Sequence, residues 1–478
     1  MNKETKQKKQ PTLLVSIIPV VITIALLSIS IIKYGADVHM PLLMGAIIAG
    51  AIGIFSLGFT WKEIEQGIID SIGSTMQAIL ILAVVGSLIG VWIAGGIVPT
   101  LIYYGLQVLS PTFFLVASVI LCSIVSLATG SSWTTAGTVG VALIGVAQGL
   151  GISVPLAAGA IISGAYFGDK MSPMSDTTNL APAMAGSELF DHIKHMFYTT
   201  SVSYGITLVI FLLVGFRYAG SELDTGAINE ILNAIAGAYT INPLLMLVPV
   251  VVIVMVAMKI PALPGLVVGI ILGALCTVYQ GGDFGAILDA LQNGAVTESG
   301  HEMVDELLTN GGLQSMMWTI SLIMCALTFG GVLEKTGMMA TIANKLLSFA
   351  RSTGSLILVT VVTCLFINIL CGDQYLAIAL PGKMYKEEYH RRGLAPRNLS
   401  RALEDSGTVT SALIPWNTCG ATMSTFLGVP TLSYIPFAFF NLLSPITTVV
   451  FGFLGLTIMK LENDPAAPEY IGPKKAKA

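Results

Sequence analysis

The sequence predicts an all-α polytopic membrane protein. It is built from two inverted-topology repeats of about five transmembrane helices, each with a re-entrant hairpin and a broken helix. Three observations lead there. The 478 residues are 54% hydrophobic and only 10% charged, with a mean hydropathy of +0.82, whereas a soluble domain carries roughly 25% charged residues. Acids also stand within apolar sequence of membrane-spanning character, at 168–179 and at 371–374. A charge at mid-bilayer depth costs ~2.5–3.5 kcal/mol on insertion scales and persists mainly where it handles an ion, a proton or a substrate. Finally, the halves match at a steady offset: Ser74-Thr75-Met76 with Ser315-Met316-Met317, Gly90-Val91 with Gly331-Val332, Gly96 with Gly337, Thr100 with Thr341, Cys122 with Cys364, and Ser163-Gly164 with Ser406-Gly407.

Residues 1–11 form a basic tail. The apolar run at 12–32 exceeds a signal-peptide core of roughly 7–15 residues and lacks a small-x-small cleavage site, so it reads as a retained first span. The first repeat occupies 12–216, with spans near 12–32, 41–59 and 74–97 and an uncharged loop around 99–111. A hairpin over 112–148 follows, its tip near Thr129–Thr135, then a broken span at 154–189 and a span at 196–216. An acidic connector at 217–241 (Glu222, Asp224 and Glu230 against Arg217) is expected outside the cell.

The second repeat, 242–459, continues with spans near 242–258, 264–280 and 315–334, an acidic insertion interrupting them around 281–313. A hairpin over 353–382 has its tip at Cys371–Tyr375. A broken span at 402–428 and a last span at 434–459 lead to a tail at 460–478. Basic residues at both termini and in the loop from Lys383 to Arg401 place both tails in the cytoplasm by the positive-inside rule. Five spans per repeat, an odd number, make the repeats inverted. A twelve-span threading with hairpin arms crossing fully satisfies the charges equally well.

Inverted repeats bring two hairpin tips and two helix breaks together. Half-helix N-termini there favour anions, while unwound carbonyls and C-termini favour cations. The first break offers Asp169, Ser172, Ser175, Asp176, Thr177, Thr178 and Asn179, and the first tip offers Thr129, Ser131 and Ser132. The second tip supplies Asp373 and Gln374, and the second break Ser406, Thr408, Asn417 and Thr418. Na⁺ takes such oxygen ligands. One carboxylate holding either H⁺ or Na⁺ gives obligatory exchange, with Asp176 the first candidate, sequestered at mid-bilayer depth, and Asp373 the second. Lys170 is the one basic side chain near the site and a possible anion contact.

Blander alternatives stand beside these. Asp169-Lys170 can be an internal ion pair holding the broken helix open, Asp176 and Asp373 can be helix caps, and single hydroxyls often bond back to their own helix. Glu188, Asp191, His192 and His195 read as a solvated loop, and Glu404-Asp405 as a favourable charge at a helix start. Trp61, Trp133, Trp318 and Trp416 read as membrane anchors or packing residues. The six cysteines sit in apolar segments as small packing residues. No GxxxxGK[ST], HExxH or GxSxG motif occurs, so neither ATP hydrolysis nor intramembrane catalysis is expected.

The stretch Gly164-Ala165-Tyr166-Phe167-Gly168-Asp169-Lys170-Met171-Ser172-Pro173-Met174-Ser175-Asp176-Thr177-Thr178-Asn179-Leu180-Ala181 resembles the NhaC family of bacterial Na⁺/H⁺ antiporters, and the similarity covers most of the chain. The resemblance implies a multi-pass protein of the bacterial plasma membrane that exchanges cytoplasmic Na⁺ for external H⁺ by alternating access. Asp169 to Asn179 would be its cation and proton region. The family includes members exchanging malate and H⁺ for lactate and Na⁺, which is the alternative activity. Expected partners are Na⁺ and H⁺ as substrates, malate and lactate under the alternative, the lipid bilayer, and a second copy of the chain as an open option. Neither a cofactor nor nucleic acid is expected.

Overall fold

Two helix–glycine–helix hairpins and two interrupted helices organise the molecule. The computed structural model describes residues 8–218, 225–258 and 260–464. The expectations for residues 1–7, Glu222, Asp224 and the tail beyond residue 464 lie outside them.

Each hairpin follows from a short local code. Pro111 starts the helix Pro111–Thr129, where its missing N–H costs nothing. Gly130 ends it at φ +68°, a left-handed conformation that glycine adopts without Cβ strain. Ser131 then caps the next helix by accepting from the Thr134 N–H at 3.1 Å. That arm runs through Ser132–Thr135, a π-helical turn Ala136–Gly140 and Val141–Gly149. In the second half, Thr353–Cys371 ends at Gly372 with φ +63°. Asp373 caps the helix Gln374–Arg391, accepting from the Leu376 N–H at 3.0 Å.

The interrupted helices obey the same logic. Val154–Met171 stops at Ser172, which is extended (ψ 126°) as a residue before proline must be. The helix resumes as Asp176–Ala185 and closes at Gly186 with φ +84°. In the second half Pro396–Leu403, the π-helical Glu404–Thr408 and Val409–Ser411 lead to a break at 412–417 containing Pro415. Asn417 caps the continuation Thr418–Leu427, which ends at Gly428 with φ +65°. Gly130 and Gly372, Ser131 and Asp373, Ser175 and Asn417, and Gly186 and Gly428 each lie 242 positions apart.

The two halves interlock by exchange. Asp176–Ala185 packs on the second hairpin's returning arm, and Thr418–Leu427 packs on that of the first. At these crossings Gly382 faces Met184, Gly137 faces Phe426 and Gly140 faces Leu427. Each tip glycine also lies against the break of its own half. A Cβ on Gly130 would meet the Met174 carbonyl carbon at 2.8 Å, and one on Gly372 would meet the Trp416 oxygen at 3.0 Å.

Among the described residues, six helices are long and apolar enough to cross a membrane, or eight if two bent pairs count as one span each. Both first hairpin arms are among the six. Large apolar side chains such as Ile124, Phe197, Leu213 and Leu365 point outwards from these helices, a surface suited to lipid.

Three expectations are corrected. The loop around 99–111 is largely a half-buried helix, Ile97–Val108, because left-handed Gly96 turns the chain after Met76–Ala94 and Ile97, Val98, Ile102 and Leu106 pack into the core. The insertion at 281–313 holds the helices Phe284–Gln292 and Glu302–Leu308 and is pinned to the first half by the Gly312 N–H bonding the Gly86 carbonyl at 2.7 Å. The basic segment from Lys383 to Arg401 is not a loop either. Its first part prolongs Gln374–Arg391, and Arg397 and Arg401 are buried.

Gly130→Ala and Gly372→Ala add both left-handed strain and a clash with the adjacent break. Each is expected to destabilise the protein by roughly 1–3 kcal/mol, read as a lower thermal unfolding midpoint in detergent. An unchanged midpoint would show that the tips tolerate looser contact.

Candidate functional site

A cavity of about 410 Å³ opens where the first tip, the first break and the start of the second hairpin's returning arm converge. Thr129, Gly130, Ser131 and Trp133 come from the tip, and Asp169, Pro173, Met174, Ser175, Asp176 and Thr177 from the break. Gln374 and Tyr375 come from the second hairpin, and Gln77 from Met76–Ala94.

Asp169 sits in the last turn of its half-helix and is only 7% exposed. Its Oδ2 accepts from the Ser132 hydroxyl at 2.6 Å and the Ser132 N–H at 3.1 Å, so the carboxylate is held by the N-terminal turn of the hairpin arm. Asp176, expected to be sequestered, is instead exposed, as the first residue of the resumed helix on the cavity wall. The cavity thus joins one buried and one accessible carboxylate to the hydroxyls of Thr129, Ser131, Ser175 and Thr177.

The other residues named from the sequence serve the frame. Ser172 donates to the Leu127 carbonyl at 2.8 Å, tying the break to the first hairpin arm. Thr178 donates to the Lys170 carbonyl at 3.0 Å, satisfying a helix end. Asn179 bonds the Pro173 and Ser175 carbonyls at 2.9 and 2.7 Å. Asp373 is buried, caps its own helix and accepts from the Thr75 hydroxyl at 3.2 Å, while its neighbour Gln374 reaches the cavity. In the second break the Thr418 N–H bonds the Gly372 carbonyl at 2.7 Å, and Asn417 reaches Asn368 Oδ1 at 3.0 Å. Ser406 bonds back to its own helix, and the Thr408 hydroxyl is buried without a partner.

Lys170 settles differently from either reading of the sequence. Its side chain is wholly buried and turned away from Asp169, forming an ion pair with Asp405. Nζ also donates to Ser444 Oγ at 3.0 Å, and Asp405 accepts from the Thr199 hydroxyl at 2.8 Å. Glu404 and Asp405, read as charges at a helix start, are therefore fully buried within the π-helical stretch. The expected solvated loop at 188–195 belongs to the long helix Leu189–Gly215. His192 and His195 are buried; His192 Nδ1 lies 2.8 Å from the Ser400 hydroxyl, and Asp191 pairs with Arg397 at 3.2 Å. The signal for these groups was available: the insertion cost applied to Asp169 and Asp373 applies equally to acids at 404 and 405.

An acid- and hydroxyl-lined cavity between a broken helix and two hairpins, inside a polytopic helical integral membrane protein, is the build of an ion-handling transporter. Residues 164–456 match the model of the Na⁺/H⁺ antiporter family, and the chain belongs to that family. It is 42% identical to the Na⁺/H⁺ antiporter NhaC of Alkalihalophilus pseudofirmus, over 93% of this chain and 96% of that one. Identity is 37% to the malate-2H⁺/Na⁺-lactate antiporter of Bacillus subtilis, over 98% and 100% of the two chains. It is 39% to the arginine/ornithine antiporter ArcD of Halobacterium salinarum, over 97% and 96%.

Removing one partner of a buried ion pair costs about 3–5 kcal/mol, while replacing both by apolar groups is often neutral. Lys170→Met alone is thus expected to lower the thermal midpoint in detergent sharply, and adding Asp405→Leu to restore much of it. Equal losses from the single and the double variant would contradict the pairing.

Proposed function

We propose that this chain is a secondary antiporter exchanging cytoplasmic Na⁺ for external H⁺ by alternating access, with the cation held at Asp169 and Asp176. The carrying observation is the charge of the cavity: two carboxylates line it, and no Lys, Arg or His does among the described residues. Lys170, the group that would favour an organic anion, is committed to Asp405. Two carboxylates and a ring of hydroxyls offer hard oxygen ligands to Na⁺ and exchangeable sites to protons. The Na⁺/H⁺ activity of the NhaC relative supports the same reading.

The two halves would be inverted repeats, and both tails would lie in the cytoplasm. Support comes from the matched glycines and caps 242 positions apart and from the reciprocal crossings, in which each half's broken helix docks on the other's hairpin. Exchange of this kind suits a rocking motion about a central site.

A second reading has its own observation. About 410 Å³ is far more room than one bare cation fills, and two relatives are antiporters of malate and lactate or of arginine and ornithine. Na⁺-coupled exchange of an organic solute, malate-H⁺ inwards for lactate-Na⁺ outwards, is therefore the alternative, although the lining charge favours a cationic over an anionic solute.

Proteoliposomes with the membrane potential clamped separate the two. Na⁺-driven H⁺ flux is expected without organic solute and unchanged by malate, lactate or arginine. Asp169→Asn is expected to reduce it by about tenfold or more, the equivalent of 1.4 kcal/mol or above. A flux that appears only when malate, lactate or arginine is supplied would transfer the assignment to solute exchange.

A further inference from the structure

Glu404 opens the π-helical stretch Glu404–Thr408, a local widening that recurs at functional sites, and it is fully buried. Its Oε1 accepts from the Thr177 hydroxyl at 3.1 Å, and that hydroxyl lies 3.1 Å from the Ser175 hydroxyl. Ser175 and Thr177 line the cavity beside Asp169 and Asp176. The buried carboxyl is thus one hydroxyl removed from the cation cavity without lining it.

Its other oxygen is unusual. Oε2 and the Thr408 hydroxyl, one turn further along the same stretch, lie close to each other, and no other group engages either. No ion pair involves Glu404 among the described residues. The charges bearing on it are those of Lys170 and Asp169, both from the half-helix Val154–Met171, with Asp405 next to it in the chain, and Lys170 is engaged by Asp405. A buried carboxylate without a cation is costly, whereas a protonated one carries no charge and gains an O–H donor. Thr408 stands as an acceptor for that donor.

We infer that Glu404 is the proton-carrying group of the exchange cycle, loaded and emptied through the hydroxyls of Thr177 and Ser175, with the cavity itself left to the cation. This rests on the Na⁺/H⁺ reading above. On loading, Thr177 passes its hydroxyl proton to Oε1 as Ser175 passes its own to the Thr177 oxygen. A proton from the cavity then replaces the one Ser175 has lost, so both hydroxyls end neutral and Glu404 has gained one proton. Two nearby carboxylates repel, so a cation on Asp169 makes it easier for Glu404 to ionise. That repulsion couples cation arrival to proton departure.

The test uses the purified full chain in weakly buffered detergent, measuring protons released per Na⁺ bound with a pH dye and ²²Na⁺. Glu404→Gln is expected to lower that ratio to about a third or less, and Glu404→Asp to recover most of it. Thr177→Val is expected to slow proton release by about tenfold or more. An unchanged ratio in Glu404→Gln, or loss of its Na⁺ binding altogether, overturns the inference. Should Glu404→Gln not yield monodisperse protein, an unchanged release rate in Thr177→Val overturns it and a slowed one supports it. Wild-type protein that binds no Na⁺ would instead remove the antiport reading itself.

Discussion

The carboxylate of Asp169 takes hydrogen bonds from both the amide and the hydroxyl of Ser132, so the end of one half-helix and the start of a hairpin arm meet on a single charge. At membrane depth every freed backbone group must find a partner inside the protein. An interrupted helix is therefore tolerable only where something else closes its ends. Here the closing groups are the tip glycines, the caps Ser131 and Asp373, and Ser172 on the Leu127 carbonyl. Two of these residues, Gly130 and Ser131, also line the cavity.

The turn glycines and the caps recur 242 positions apart, but the charges do not. In the first half the acid lies on the break and the hydroxyls on the tip. In the second half the acid, Asp373, lies on the tip and caps its own helix, while the break carries the Asn417–Asn368 amide contact. Matching turns thereby carry an unequal charge distribution, with cavity acids from the first half and the buried pair Glu404 and Asp405 from the second. Lys170 reaches across from the first half to join them. Movement of either half against the other must rearrange contacts between these groups.

Much of this frame was legible in the sequence. Gly130 and Gly372 announce the tips and Pro173 and Pro415 the breaks, because left-handed turns and missing N–H groups are properties of single residues. The offset between the halves was visible for the same reason. What stayed hidden depends on contacts across long stretches of chain. That Lys170 meets Asp405 instead of Asp169, and that His192 is buried against Ser400, follows from helix crossings that no local pattern encodes. Asp176 was favoured over Asp169 on its hydroxyl-rich neighbours, yet burial is set by the angle at which the broken helix resumes. The helix Ile97–Val108 was missed because twelve uncharged residues between spans look like a loop until the partner they pack against is known.

A Na⁺-binding isotherm, taken with ²²Na⁺ on purified protein across a range of pH, bears most directly on whether cation binding at Asp169 is linked to a proton. Saturable Na⁺ binding that weakens as the medium is acidified, and that Asp169→Asn abolishes together with the competition, is the expected result. Wild-type affinity and wild-type proton competition in Asp169→Asn would contradict it.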